Sequence, residues 1–270
     1  MSAAVSRVPE PLLSVPPCSP SPAWVLPDVI VPESNPHRYA TDQLRLILEA
    51  WIARTQRCAQ VVSNLAVRWD PQNPAVGLDP DVALLDPPPP EGEAVGSLRL
   101  WNPGHHVPPL AIEIVSPSNP YKDYQQAPLK YASLGVTELW IVDPERRGPA
   151  ALGGPYPLQI WSRPAGGGLT RIFAGEAPAY SPYLDAWLVL RRQGLLVQVR
   201  IADDREGRQL WPTPEEVALQ ATEVERQAKE TERQAKEAAL QVGGTERQAK
   251  EAALARIAEL EAELADARKR

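Results

Sequence analysis

The chain has 270 residues, enough for one domain of ordinary size with appendages. A formal net charge of −6 gives no whole-protein field that would draw in nucleic acid, so any DNA contact must be local or assisted by cations. Only two cysteines, Cys18 and Cys58, are present, which excludes a disulfide framework and points to a reducing cytoplasm. Prolines soon after Met1 interrupt any signal-peptide core, and no apolar run approaches a membrane span, so no membrane partner is expected.

Proline makes up 31 residues, roughly double the usual share. Residues 1–37 alternate Pro with Ser, Val and Ala and read as an extended, solvated, disordered tail. Order is expected from near Tyr39, with Thr41 capping a helix whose Leu44, Ile47, Leu48 and Trp51 fall on one face and which runs to about Gln56. Residues 60–69 and 81–85 are rich in Val and Leu and read as two strands separated by the turn Asp70-Pro71-Gln72-Asn73-Pro74.

Residues 110–115 form a short apolar run suited to a fully buried strand at the centre of a sheet. Ser116-Pro117-Ser118-Asn119-Pro120 breaks it. Residues 124–134 then read as a helix stopped by Gly135, and residues 138–142 as another buried strand. This order implies a mixed sheet with a crossover helix, hence an α/β or α+β fold. Later alternations at 158–161, 169–173, 186–190 and 195–201 extend the sheet or build a small β appendage.

At Thr213-Pro214-Glu215-Glu216 an N-cap, Pro at the first helical position and an early Glu start a final helix. The hexapeptide Glu-Arg-Gln-Ala-Lys-Glu begins at Glu225, Glu232 and Glu246, spacings of seven and fourteen. Val217, Ala221, Val224, Ala228, Thr231, Ala235, Ala238, Val242, Thr245 and Ala249 keep the steps of four and three of a coiled-coil seam. A stutter at Ala253 and Ile257 precedes Leu260, Leu264 and Ala267. The segment is read as either a homo-oligomer contact through residues 214–268 or a solvated single helix. The domain plan is thus a tail at 1–37, a folded domain at 38–205 and a helical extension at 212–270.

Two acids stand inside strand-like sequence: Asp81 in Pro-Asp-Val-Ala-Leu-Leu and Glu113 in Leu-Ala-Ile-Glu-Ile-Val. A carboxylate in such surroundings is costly unless it is paired or holds a cation, so the pair suggests a divalent-metal site of the kind a metal-dependent nuclease needs. Alternation places Ala111, Glu113 and Val115 on one face of their strand. A nearby lysine, Lys130 or Lys122, would stabilise charge on a phosphate. His105 and His106 are adjacent, point apart on an extended chain and lack a third ligand at a suitable spacing, so they read as a loop pair. Glu49 reads as a solvated helical residue, and Ser116 and Ser118 as local caps.

Pro80-Asp81, Glu113-Ile114-Val115-Ser116-Pro117-Ser118-Asn119, the helix carrying Asp123, Lys130 and Tyr131, and Gly135-Val136-Thr137-Glu138-Leu139-Trp140-Ile141-Val142-Asp143-Pro144 together resemble the Uma-type restriction-endonuclease-like family. This is a branch of the PD-(D/E)xK nuclease superfamily, and the likeness spans roughly residues 37–201. It implies a restriction-endonuclease-like core with a mixed central sheet flanked by helices. It also implies a Mg²⁺- or Mn²⁺-dependent DNA endonuclease, with Asp81, Glu113 and the backbone carbonyl of Ile114 as metal ligands and Lys130 assisting. The third motif position is Val115, and the helix position one turn before Tyr131, where the family's lysine is expected, is Ala127, followed by Pro128. These departures raise the alternative of a catalytically impaired nuclease-like protein that acts as an interaction module through its coiled-coil tail.

Overall fold

The structure, a computed structural model, describes residues 12–26, 34–193 and 196–267. In chain order the elements are β1 (Ser14–Val15), α1 (Asn35–Thr55), β2 (Gln60–Ser63), β3 (Val67–Arg68), β4 (Gly77–Leu78), β5 (Val82–Leu85), β6 (Leu98–Arg99) and β7 (Leu110–Ile114). There follow α2 (Ala127–Leu134), β8 (Glu138–Val142), β9 (Leu158–Ser162), β10 (Leu169–Gly175), β11 (Ala179–Ser181), β12 (Ala186–Gln193), β13 (Leu196–Ala202) and α3 (Pro214–Ala267). The fold is mixed α/β, and α3 forms a compact unit of its own, divided from the rest between Thr213 and Pro214.

A seven-stranded sheet in the order β1-β10-β9-β8-β7-β5-β2 is the backbone of the first unit. Its β7 and β8 are parallel neighbours joined through α2, while every other adjacent pair is antiparallel. Both parallel strands are buried along their whole length, as strands covered on two faces must be. Alternation sends Leu110, Ile112 and Ile114 to one face, where they join Leu44, Ile47, Leu48 and Trp51 of α1 and Leu188, Val199 and Ile201 of the β11-β12-β13 sheet. Ala111 and Val115 belong to the opposite layer, together with Ala127, Tyr131 and Leu134 of α2. Burying an apolar stripe of α1 and of α2 against opposite faces of the sheet is stabilising, at about 25 cal/mol per Å² of apolar surface removed from water.

A buried acid ties the second sheet to the first. Glu138, fully buried on β8, accepts hydrogen bonds from Trp140 Nε1 (2.5 Å), Ser181 Oγ (2.5 Å) and the Tyr183 N–H (3.0 Å). Burial raises its pKa above the ordinary carboxylate range, while these three donors pull the other way.

The start of the chain departs from the expected solvated tail. Ser14 and Val15 pair with Thr170 and Leu169 at the sheet edge, and Val15 is only 2% exposed. Further on, the Leu26 N–H donates to Ala75 O, and the Gly77 N–H to Trp24 O. Proline-rich sequence allows this because an edge strand needs only one side of its backbone paired, and Ser14-Val15 lies just ahead of Pro16. Gly168 makes the approach feasible, since a Cβ there would stand 2.0 Å from the Val15 carbonyl oxygen.

α1 also begins earlier than Thr41. Ser34 is its cap, accepting from the His37 N–H, with Pro36 in the first turn, whereas Thr41 is buried inside the helix. His37, placed in the tail on sequence grounds, therefore belongs to the first helical turn. Gly168→Ala is expected to release β1 from β10 and expose residues near Val15 to limited proteolysis while circular dichroism of the remaining domain stays native.

Candidate active site

The acids sit where β5 meets β7. Register pairs Val82 with Ile112, which brings Asp81, just before β5, beside the C-terminal end of β7. The Ile114 N–H donates to Asp81 Oδ2 at 2.6 Å, so the main chain of one strand fixes the carboxylate at the start of the other. Across the sheet from α1, His37 Nε2 lies 3.2 Å from Asp81 Oδ1, with both side chains largely buried.

Glu113 is buried, at 5% exposure, on the α2 side of β7. Tyr131 donates to its Oε1 at 2.5 Å from the middle of α2. Burial pushes Glu113 well above the ordinary carboxylate range, and the Asp81 charge raises it further; Lys122 and the Tyr131 hydroxyl act in the opposite direction. Asp123 is 1% exposed, accepts from the Ser116 N–H at 3.0 Å and is pushed up to about 6, chiefly by burial.

The cation on this cluster comes from an irregular turn. Residues Lys122–Gln126 form a π-helical turn leading into α2, closed by the Ala127 N–H donating to Lys122 O. An i→i+5 turn stows one residue more than an α-turn and so re-aims the side chains that precede it. Lys122 is thereby placed about one turn ahead of Ala127. The Glu113 charge is the largest influence raising the Lys122 pKa, followed among the acids by Asp123, Asp81 and Asp79. Lys130 feels Glu113 as well, but burial first and Lys122 second lower its pKa.

Ala127 itself is buried, at 3% exposure, in the apolar layer with Tyr131 one turn further along. Ile114 is buried at the end of β7, with its N–H committed to Asp81. Glu49 lies elsewhere, 3.3 Å from Arg45 on the α1 surface that lines an open groove beside β2. His105 turns inward, accepting from the Arg99 N–H and contacting Glu91, while His106 is exposed. The Ser116 and Ser118 hydroxyls bond each other at 2.9 Å.

Sequence reading passed over His37, Asp79 and the role of Asp123. The Ser34-Asn35-Pro36 start signal, one turn before His37, was the available clue for the first of these. Among the described residues no group of three or more His, Cys, Asp or Glu stands close enough to hold an ion unaided. A cation here would rest on two carboxylates and a main-chain oxygen.

Fold and site together define a mixed α/β domain in which a partly buried Asp81 and a buried Glu113 meet beside a lysine. Residues 28–150 match the Uma2 family model, whose description reads "Putative restriction endonuclease". Among solved structures, the chain is similar to a "putative nuclease belonging to DUF820" from Anabaena variabilis ATCC 29413, at 15% identity and a TM-score of 0.40, over 58% of this chain and 76% of that one. No curated protein matches. Among the described residues no helix is long and apolar enough to cross a membrane.

Tyr131→Phe removes a hydroxyl donor from a carboxylate that stays buried. It is expected to cost about 1–3 kcal/mol in urea unfolding, with the denaturant slope unchanged.

Proposed function

We propose that this chain is a nuclease that hydrolyses phosphodiester bonds in DNA with the help of Mg²⁺ or Mn²⁺, in the cytoplasm. The observation that carries the proposal is the convergence of Asp81 and buried Glu113 at the β5–β7 junction with Lys122 beside them. The donor chemistry fits a hard divalent cation: carboxylate oxygens of Asp81 and Glu113 with the Ile114 carbonyl as the third ligand. Repulsion from Asp81 on a carboxylate already strained by burial is the electrostatic condition that such a cation relieves. A bound cation supplies Lewis-acid polarisation of a phosphoryl oxygen.

The protein's own residues do the positioning. The Ile114 N–H and His37 hold Asp81, and Tyr131 holds Glu113, so neither carboxylate has to search rotamers when substrate arrives. Lys122 stays protonated because the acids raise its pKa. That suits it to a fixed positive charge facing the phosphate rather than to a proton acceptor. Lys130 takes a lesser part in the same field, since burial and Lys122 both disfavour its ammonium. Asp123, by accepting from the Ser116 N–H, anchors the π-turn that presents Lys122.

A second reading rests on Ala127, which occupies the expected lysine position and is packed in the core. On that reading the domain keeps its cation-binding acids, lacks turnover and serves as an interaction module.

Supercoiled plasmid and short single-stranded DNA, incubated with Mg²⁺ or Mn²⁺, separate the two. Cutting is expected to vanish in Glu113→Gln and Asp81→Asn, to fall about 100-fold in Lys122→Ala, and to change by less than about tenfold in Lys130→Ala. Calorimetric Mn²⁺ affinity should drop in the two acid variants and persist in both lysine variants. A folded chain that binds Mn²⁺ and cuts neither DNA would favour the interaction module, and unchanged affinity in the acid variants would remove the metal assignment.

A further inference from the structure

α3 runs unbroken from Pro214 to Ala267, and its described side chains are nearly all exposed, including Val224 (65%), Leu254 (57%), Ile257 (52%) and Leu260 (45%). Its helicity has local support. Lys229 pairs with Glu225 and Lys236 with Glu232, each in the favourable Glu-before-Lys i,i+4 order. Those pairs lie off the apolar seam and do nothing to cover it. The stripe has the spacing of a coiled-coil seam.

We infer that α3 pairs with α3 of a second copy of this chain, parallel and in register. The flanks of the seam carry the argument for both the occupant and the direction. The residue after a seam position is Glu at 225, 232 and 246; the residue before one is Gln at 227, 234, 241 and 248. In a parallel pair, a residue on the second flank faces the residue five positions later on the first flank of the other helix. Gln227 then meets Glu232 of the second copy, Gln241 meets Glu246, and beyond the stutter Arg256 meets Glu261. Antiparallel pairing would set Glu against Glu along one side and lose the Arg–Glu pair. The alanine-rich seam permits close approach but contributes little per residue, so the turn around Ile257 and Leu260 is the anchor.

The pairing does not depend on the nuclease reading, but its consequence does. A pair of chains carries two nuclease sites, the number needed to act on both strands of a duplex.

Sedimentation equilibrium of the full chain tests the pairing and reads mass rather than cutting. The expected mass is twice 29.6 kDa, shifting towards 29.6 kDa in Ile257→Asp/Leu260→Asp. Ala253→Cys, in a Cys18→Ser/Cys58→Ser background, should form an interchain disulfide on mild oxidation, because like seam positions meet only in a parallel, in-register pair. Arg256→Glu should move the monomer–dimer midpoint to higher concentration, and Arg256→Glu/Glu261→Arg should return it. A monomeric mass at every concentration, a dimer unaffected by Ile257→Asp/Leu260→Asp, or a dimer in which Ala253→Cys fails to cross-link would each overturn the inference.

Discussion

The rest of the first unit depends on a carboxylate kept where water does not reach it. Glu113 sits on a strand flanked by β5 and β8 and roofed by α2, with 5% of its surface exposed. Its burial would be destabilising without the Tyr131 hydroxyl and the nearby Lys122 ammonium, both of which come from the crossover between β7 and β8. The crossover between these parallel strands is therefore more than a chain connection here. It places the residues that make an ionisable group tolerable at the centre of the domain.

The opposite face of the sheet has a different task. Trp51, Trp140 and the β12–β13 pair fill it with apolar bulk, and the buried acid Glu138 has its oxygens occupied by Trp140, Ser181 and Tyr183. Two buried glutamates on adjacent parallel strands thus have opposite characters. Glu138 is enclosed by neutral donors and holds two sheets together. Glu113 faces other charges, with Asp81, Asp123 and Lys122 all acting on it. That contrast is why we assign chemistry to one and architecture to the other.

Much of this was legible in the sequence where the local signal and the tertiary outcome agree. The apolar run at β7, the buried strand β8 and the helix stop at Gly135, which adopts φ 96°, follow from period, propensity and a glycine's conformational freedom. The helical face of Leu44, Ile47, Leu48 and Trp51 was likewise plain, although the true helix start lies about two turns ahead of Thr41, because Thr41 has the residue type of a cap and Ser34 lies in proline-rich sequence. Composition misled at Ser14–Val15, whose ordering depends on the distant Gly168 and on an open sheet edge, neither of which is visible locally. His37 and Lys122 were hard to assign for a related reason. One reaches its partner across 44 residues, and the other depends on a π-turn that period-3.6 reasoning does not anticipate.

The π-turn makes the chain's length at this point matter as much as its composition. An α-helix advances about 100° per residue, so removing one residue between Lys122 and Ala127 would both regularise the turn and swing Lys122 about a quarter-turn around the helix axis. The lysine would remain in the sequence and leave the acids. Here, then, the spare residue of an irregular helix works as a setting for side-chain direction, and a single-residue deletion could silence the cluster with every one of its side chains still in place.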